Sequence, residues 1–96
     1  MADYRLTPAA RQDMDDIFEH SVANWGLQTA LGYADDLAEA FDLLAEAPRR
    51  GASCDAIRAG YRRFGVGSHV IYYKTTDYGI AVIRILHQRM DAPRHF

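Results

Sequence analysis

The stretch Gly79-Ile80-Ala81-Val82-Ile83-Arg84-Ile85-Leu86-His87-Gln88-Arg89-Met90-Asp91 decides the fold. Ile80 to Leu86 is apolar on both faces of an extended chain, with Ile80 and Val82 on one side and Ala81, Ile83 and Ile85 on the other. A strand with two apolar faces belongs in the middle of a covered sheet. This one runs into Arg84, His87 and Arg89, and so brings basic and imidazole groups to the edge of a rigid scaffold. Two kinds of partner suit such an edge: a scissile phosphate, or the surface of another protein.

Backwards from that strand, Thr75 to Gly79 reads as a turn and His69-Val70-Ile71-Tyr72-Tyr73-Lys74 as a second strand. Val66-Gly67-Ser68 turns the chain again, and the period of two reaches back through Arg58-Ala59-Gly60-Tyr61-Arg62-Arg63-Phe64 to Ile57. Arg49 to Ala56, with Gly51, Ser53 and Asp55, reads as a loop. Before it the period becomes helical. Met14, Ile17, Phe18, Val22 and Trp25 mark one amphipathic helix, opened by Thr7 as N-cap and Pro8 in the first turn. Gly26 ends it. Ala30, Leu31, Ala34, Leu37, Ala38, Phe41, Leu44 and Ala45 mark a second helix, stopped by Pro48. Trp25 and the Phe and Leu stripes are expected in the core. Tyr4-Arg5-Leu6 is a short first strand, and Met90 to Phe96 a short tail suited to a helical turn. The expectation is an α+β fold of order β-α-α-β-β-β, a helical hairpin packed on a small, mostly antiparallel twisted sheet, forming one domain over residues 1–96.

The totals agree with a small globular unit. The chain has 96 residues, 49% hydrophobic and 25% charged. No apolar run approaches the roughly 20 residues of a membrane helix, and Met1-Ala2-Asp3-Tyr4 lacks the pattern of a secretory signal. The single cysteine, Cys54, has no internal disulfide partner and reads as a bystander thiol of a reducing cytoplasm. The net charge of −2 is divided. Residues 1–48 carry ten acids against Arg5 and Arg11, a balance of −8. Residues 49–96 carry nine bases against Asp55, Asp77 and Asp91, a balance of +6. Such a basic half suits an anionic partner, nucleic acid or an acidic protein segment; alternatively, acidic helices and basic sheet simply balance each other.

Standard machinery is missing. Gly65-Val66-Gly67 lies in a hairpin and not between strand and helix, which argues against a phosphate-cradling loop. His69 and His87 have no Cys or carboxylate at metal-ligand spacing. Arg62, Arg63, Arg84, His87 and Arg89 would suit phosphodiester cleavage, with arginines on the phosphate and His87 as general acid. A convincing general base is absent, since the strands hold no Glu. The same residues would equally dress a face that a protein partner covers.

Seven segments in order resemble the ParE branch of the RelE/ParE superfamily of bacterial toxins. They are Tyr4-Arg5-Leu6-Thr7-Pro8-Ala9-Ala10; Asp13-Met14-Asp15-Asp16-Ile17; Trp25-Gly26 with Ala30; and Leu44-Ala45-Glu46-Ala47-Pro48. The rest are Ile57-Arg58-Ala59-Gly60-Tyr61-Arg62-Arg63; Gly67-Ser68-His69-Val70-Ile71-Tyr72-Tyr73; and Arg84-Ile85-Leu86-His87-Gln88-Arg89-Met90-Asp91. The resemblance implies a type II toxin–antitoxin module, a ParD-like antitoxin in a hetero-oligomer of 2:2 or larger, and no DNA binding except through that antitoxin. It implies DNA gyrase as target, growth arrest without catalysis, a cytoplasmic location, and neither cofactor nor metal. The alternative is a ribosome-dependent mRNA endoribonuclease of RelE or YoeB type. Against it, Gln88 follows His87 where a YoeB-like chain has Tyr.

The expected target-facing residues are Arg84, His87, Gln88, Arg89 and Met90, supported by Arg62 and Arg63. Ile17, Trp25, Leu31, Arg58, Tyr61 and Tyr73 are expected to meet the antitoxin, an acidic amphipathic segment drawn in by the basic half.

Overall fold

A computed structural model describes residues 2–96. In chain order these form β1 (Asp3–Leu6), α1 (Pro8–Trp25), α2 (Leu27–Glu46), a 3-10 turn at Pro48–Arg50, β2 (Ala52–Ser53), β3 (Tyr61–Val66), β4 (His69–Thr75), β5 (Gly79–His87) and a closing 3-10 turn at Ala92–His95. The sheet order is β1-β5-β4-β3-β2. β1 runs parallel to β5 and every other pairing is antiparallel. The α+β expectation holds, with the last long strand interior as its two apolar faces require.

Local chemistry sets the element ends. The Thr7 Oγ1 accepts from the Ala10 N–H at 3.0 Å and caps α1, with Pro8 in its first turn. Gly26, at φ +89, ends α1 and allows α2 to start at once. Gly79, at φ +141, lies so close to Asp3 that a β-carbon there would overlap the Asp3 carbonyl. Only glycine admits the parallel β1 strand at that point.

Two readings of the strands are corrected. The strand expected from Ile57 and Arg58 begins only at Tyr61. The Cys54 carbonyl accepts from the Ile57 and Arg58 N–H groups, and the Asp55 carboxylate accepts from Gly60 N–H at 2.9 Å. With Gly60 at φ +83, those residues coil into turns instead of extending. The expected loop at 49–56 contains the two-residue β2, paired with Arg62 and Arg63.

The second correction concerns β5. Tyr72 pairs with Arg84 but Tyr73 pairs with Val82, so Ile83 is an extra residue in β5. This bulge reverses the alternation beyond it. Ile85 therefore joins Ile80 and Val82 in the core under the helices, with Leu37, Phe41, Leu44, Ile71 and Tyr73. Leu86 turns to the other face, where it packs with Tyr72, Ala92, Val70 and Phe96. The tail thus covers the second face, and the Phe96 ring meets Tyr61 and Tyr72 at 5.5 and 5.1 Å.

β1 stops at Leu6, opposite Val82, and leaves the β5 edge beyond it without a strand partner. Side chains complete the ladder. The Thr7 hydroxyl donates to the Ile83 carbonyl at 2.7 Å, and the Asp13 carboxylate accepts from Ile85 N–H at 2.9 Å. The same carboxylate accepts from Arg84 Nε and Nη2 at 2.8 and 2.9 Å. Asp13 is 11% exposed and Arg84 24%. Asp13→Ala leaves a guanidinium and a backbone N–H without partners, at an expected cost of about 2–4 kcal/mol in urea unfolding. Tyr73, fully buried, donates to the Pro48 carbonyl at 2.6 Å and accepts from Gly51 N–H at 3.0 Å. Tyr73→Phe is expected to cost about 1–3 kcal/mol, and a loss within experimental error would show that water replaces the hydroxyl.

Candidate functional site

The end of β5 forms one exposed edge. His87 pairs with His69 across the sheet. The chain then turns tightly, with Gln88 N–H donating to the Ser68 carbonyl at 2.8 Å and Met90 N–H to the His87 carbonyl at 2.9 Å. Arg89 N–H donates to His87 Nδ1 at 3.1 Å. That bond takes the Nδ1 lone pair, so the neutral ring carries its proton on Nε2. Gln88, Arg89 and Met90 project outward, Met90 at 49% exposure.

Arg84 does not belong with them. Its guanidinium is held by Asp13, which also keeps its pKa above the ordinary value. Its place is structural, a correction to its expected role as a free target-facing charge. Arg62 and Arg63 are likewise not one support cluster. Adjacent strand residues face opposite sides. Arg62 donates to the Gly51 carbonyl at 3.0 and 2.7 Å and to the Arg49 carbonyl at 3.3 Å, fastening the loop before β2. Arg63 is exposed. Through Tyr73 and Tyr72 the two lie level with Val82 and Arg84. At about 3.3 Å per residue that is roughly 10–17 Å along β5 from His87.

The tip of the helical hairpin forms a second surface. Trp25 is 64% exposed, Leu27 56%, Leu31 46% and Val22 36%. Trp25 is therefore not core, a correction to the expectation drawn from its helical spacing. Of the six residues expected to meet an antitoxin, Trp25, Leu31 and Arg58 are exposed, while Ile17 and Tyr61 are half-buried. Tyr73 is fully buried and presents no surface, since its hydroxyl is spent inside the fold. Val22 and Leu27 extend the patch and are not among the residues expected to meet an antitoxin: periodicity marks Val22 on an apolar face without saying whether anything covers it, and it leaves Leu27 unmarked.

Between these surfaces lies a pocket of about 390 Å³, walled by His20, Ser21, Trp25, Tyr33, His69 and His87 among others. Its geometry rests on the Tyr33 hydroxyl, 3.0 Å from the Val66 carbonyl and 2.6 Å from His69 Nδ1. A hydroxyl has one hydrogen. Both bonds form when Tyr33 donates to Val66 and His69 donates from Nδ1, which leaves a lone pair on His69 Nε2. The His69 and His87 rings meet edge to face at 5.3 Å. Burial first, then the neighbouring His87 and His20, hold the His69 pKa below its usual value, against a weaker opposing pull from Asp13. Tyr33 and His69 are 36 residues apart, and nothing in the sequence joins them.

A third feature is basic. Arg49, Arg50, Arg62 and Lys74 surround an open depression of about 810 Å³ beside the end of α2. Among the described residues the ion pairs are Arg84–Asp13 and Arg94–Asp91, so none of these four has a carboxylate partner, and only Arg62 is held, by the Gly51 and Arg49 carbonyls. No group of three or more His, Cys, Asp or Glu with metal-binding geometry occurs among the described residues. No helix of the described residues is long and apolar enough to cross a membrane. Cys54 has its thiol pKa raised, first by burial, consistent with an unreactive side chain.

Residues 4–92 match the family described as ParE toxin of type II toxin-antitoxin system, parDE. Toxin ParE1 of Mycobacterium tuberculosis is 43% identical over 93 residues, covering 96% of this chain and 95% of that protein. Toxin ParE1 of Caulobacter vibrioides is 41% identical over 95 residues, covering 99% and 98%. Among solved structures, a chain of the chromosomal ParDE TA system from P. aeruginosa superposes with a TM-score of 0.77 at 24% identity, covering 91% of this chain and 96% of that one, and so shares the fold. Strand order, capped helical hairpin and sequence kinship agree, and the chain belongs to the ParE toxin family of type II toxin–antitoxin systems.

Proposed function

We propose that this toxin arrests growth by binding DNA gyrase and stabilising its cleaved-DNA state, and that a ParD-like antitoxin neutralises it by covering its surface. The observation that carries the reading is the exposed turn Gln88-Arg89-Met90, rigidly held at the end of β5 and presenting an unpaired guanidinium beside an exposed thioether. A binding poison requires only such a surface, shaped for one state of its target, because a ligand shifts an equilibrium by its differential affinity. Catalytic RNA cleavage requires more. His87 directs its Nδ1 to a backbone N–H, and neither ion pair among the described residues places a carboxylate on a histidine.

The antitoxin is assigned the apolar hairpin tip of Val22, Trp25, Leu27 and Leu31, together with the basic depression around Arg49, Arg50 and Lys74. An amphipathic segment would lay its apolar side on the tip, and an acidic stretch would be steered to the depression. In this arrangement the antitoxin and gyrase surfaces adjoin along the pocket that ends at His87, so neutralisation is by occlusion.

The test is purified toxin with gyrase, ATP and supercoiled plasmid, scored for linear DNA on denaturation, beside a translating-ribosome reaction scored for mRNA cuts. Linear plasmid with intact mRNA is the expected result; cut mRNA with untouched plasmid would replace the proposal with an endoribonuclease. Arg89→Ala with Met90→Ala is expected to lower plasmid linearisation at least tenfold while leaving the melting temperature and antitoxin binding unchanged. Arg84→Ala is unsuitable as a probe, because releasing Asp13 destabilises the fold.

A further inference from the structure

We propose that the pocket between the hairpin tip and the His69–His87 rung receives a carboxylate side chain of the antitoxin, taken up together with one proton on His69. The inference rests on the proposed docking of an antitoxin at the hairpin tip and adds the chemistry of its anchor. Three imidazoles, His20, His69 and His87, wall one pocket. Neither ion pair among the described residues involves a histidine. The groups facing His69 are His87 from β5, His20 and Asp13 from α1, and Tyr33 from α2. Asp13, the acid among them, is committed to Arg84 and Ile85 N–H.

The pocket therefore gathers three imidazoles and offers them no uncommitted carboxylate. Protonating one imidazole beside the others is unfavourable, and an entering carboxylate removes that penalty. His69 Nε2 is the atom that takes the proton, since Nδ1 already serves Tyr33. Ser21 supplies a further donor: the residue is only 5% exposed, lines the pocket, and takes part in none of the side-chain hydrogen bonds among the described residues. A space of about 390 Å³ accommodates an Asp or Glu side chain with water beside it. Trp25 belongs both to the pocket wall and to the exposed patch with Val22, Leu27 and Leu31. A peptide lying on the patch thus delivers a neighbouring side chain directly into the pocket. The exposed acids of the hairpin, Asp15, Asp16, Glu19, Asp35 and Asp36, oppose this only through solvent, where screening acts over about 8 Å.

The sign of the pH effect is distinctive. In the free toxin His69 titrates below 6.5, so the unfolded chain takes the proton first and folding stability falls as pH drops below that value. The complex should behave in the opposite sense and tighten as pH falls. The experiment is a titration of the toxin with the antitoxin of its own module by calorimetry from pH 8.0 to 6.0. Trp25, the one tryptophan in the chain, serves as a fluorescent reporter of the pocket. Phenylacetate and its neutral isostere phenylacetamide are titrated in parallel as probes of the pocket alone.

The expected outcome is a Kd about five- to tenfold lower at pH 6.0 than at 7.5, as one linked proton allows. His69→Gln should flatten that dependence, and phenylacetate should perturb Trp25 at pH 6.0 where phenylacetamide does not. His20→Gln, at an exposed position, should move the midpoint to higher pH by removing a repelling imidazole, and does not depend on His69→Gln folding. Tight antitoxin binding with no pH dependence overturns the carboxylate anchor and leaves the antitoxin reading standing. No antitoxin binding at any pH overturns both.

Discussion

The whole arrangement depends on how the edge of β5 is satisfied where β1 ends. β1 supplies only four residues of ladder, and β5 runs five residues further. An interior strand with bare N–H and C=O groups would be untenable. The Thr7 hydroxyl and the Asp13 carboxylate close that gap, and both belong to the start of α1. One residue, Thr7, therefore caps the helix and extends the sheet. Asp13 then binds Arg84 in the same act, which fixes the angle at which the helical hairpin leaves the sheet. The position of the hairpin tip relative to the end of β5 follows from these contacts.

The bulge at Ile83 is the second constraint. Without it, Ile85 would face away from the helices and Leu86 toward them. The inserted residue lets one strand contribute to two cores, one beneath the helices and one beneath the tail. In exchange, the terminal segment becomes part of the fold, with Phe96 packed between aromatic rings on β3 and β4. The turn at Gln88-Arg89-Met90 is then tethered on both sides, by β5 before it and by Ala92 after it. A surface held in this way meets a partner with little ordering cost.

Much of this architecture is legible in the residues. Thr7-Pro8, Gly26 and Pro48 mark the helix limits, and the two apolar faces of Ile80–Leu86 place that strand inside the sheet. The features that are not legible depend on distant partners. Arg84 reads as a free charge beside His87 because Asp13 lies 71 residues away. Tyr73 reads as surface because its partners, Pro48 and Gly51, come from a loop that periodicity leaves shapeless. Trp25 reads as core because amphipathic spacing is indifferent to whether anything covers it. Asp55 and Gly60 undo an apparent strand through a local hydrogen bond that alternation does not register. For the candidate site, Gln88, Arg89 and Met90, which the sequence reading expects to face the target, are exposed, while the Tyr33–His69 contact behind them is created by the fold.

The pairing of β1 with β5 also governs when the molecule can exist. The first strand finds its sheet partner only in the last one, and the Thr7–Ile83 bond spans 76 residues. Closing so long a loop precedes the contacts that reward it. During synthesis the helical hairpin emerges before the strands that cover its apolar face, and the β5 edge on which the proposed action depends is made only after them. On the proposed reading, a nascent chain offers its docking patch before its target-facing surface is assembled, and the order of translation itself gives a neutralising partner the first opportunity.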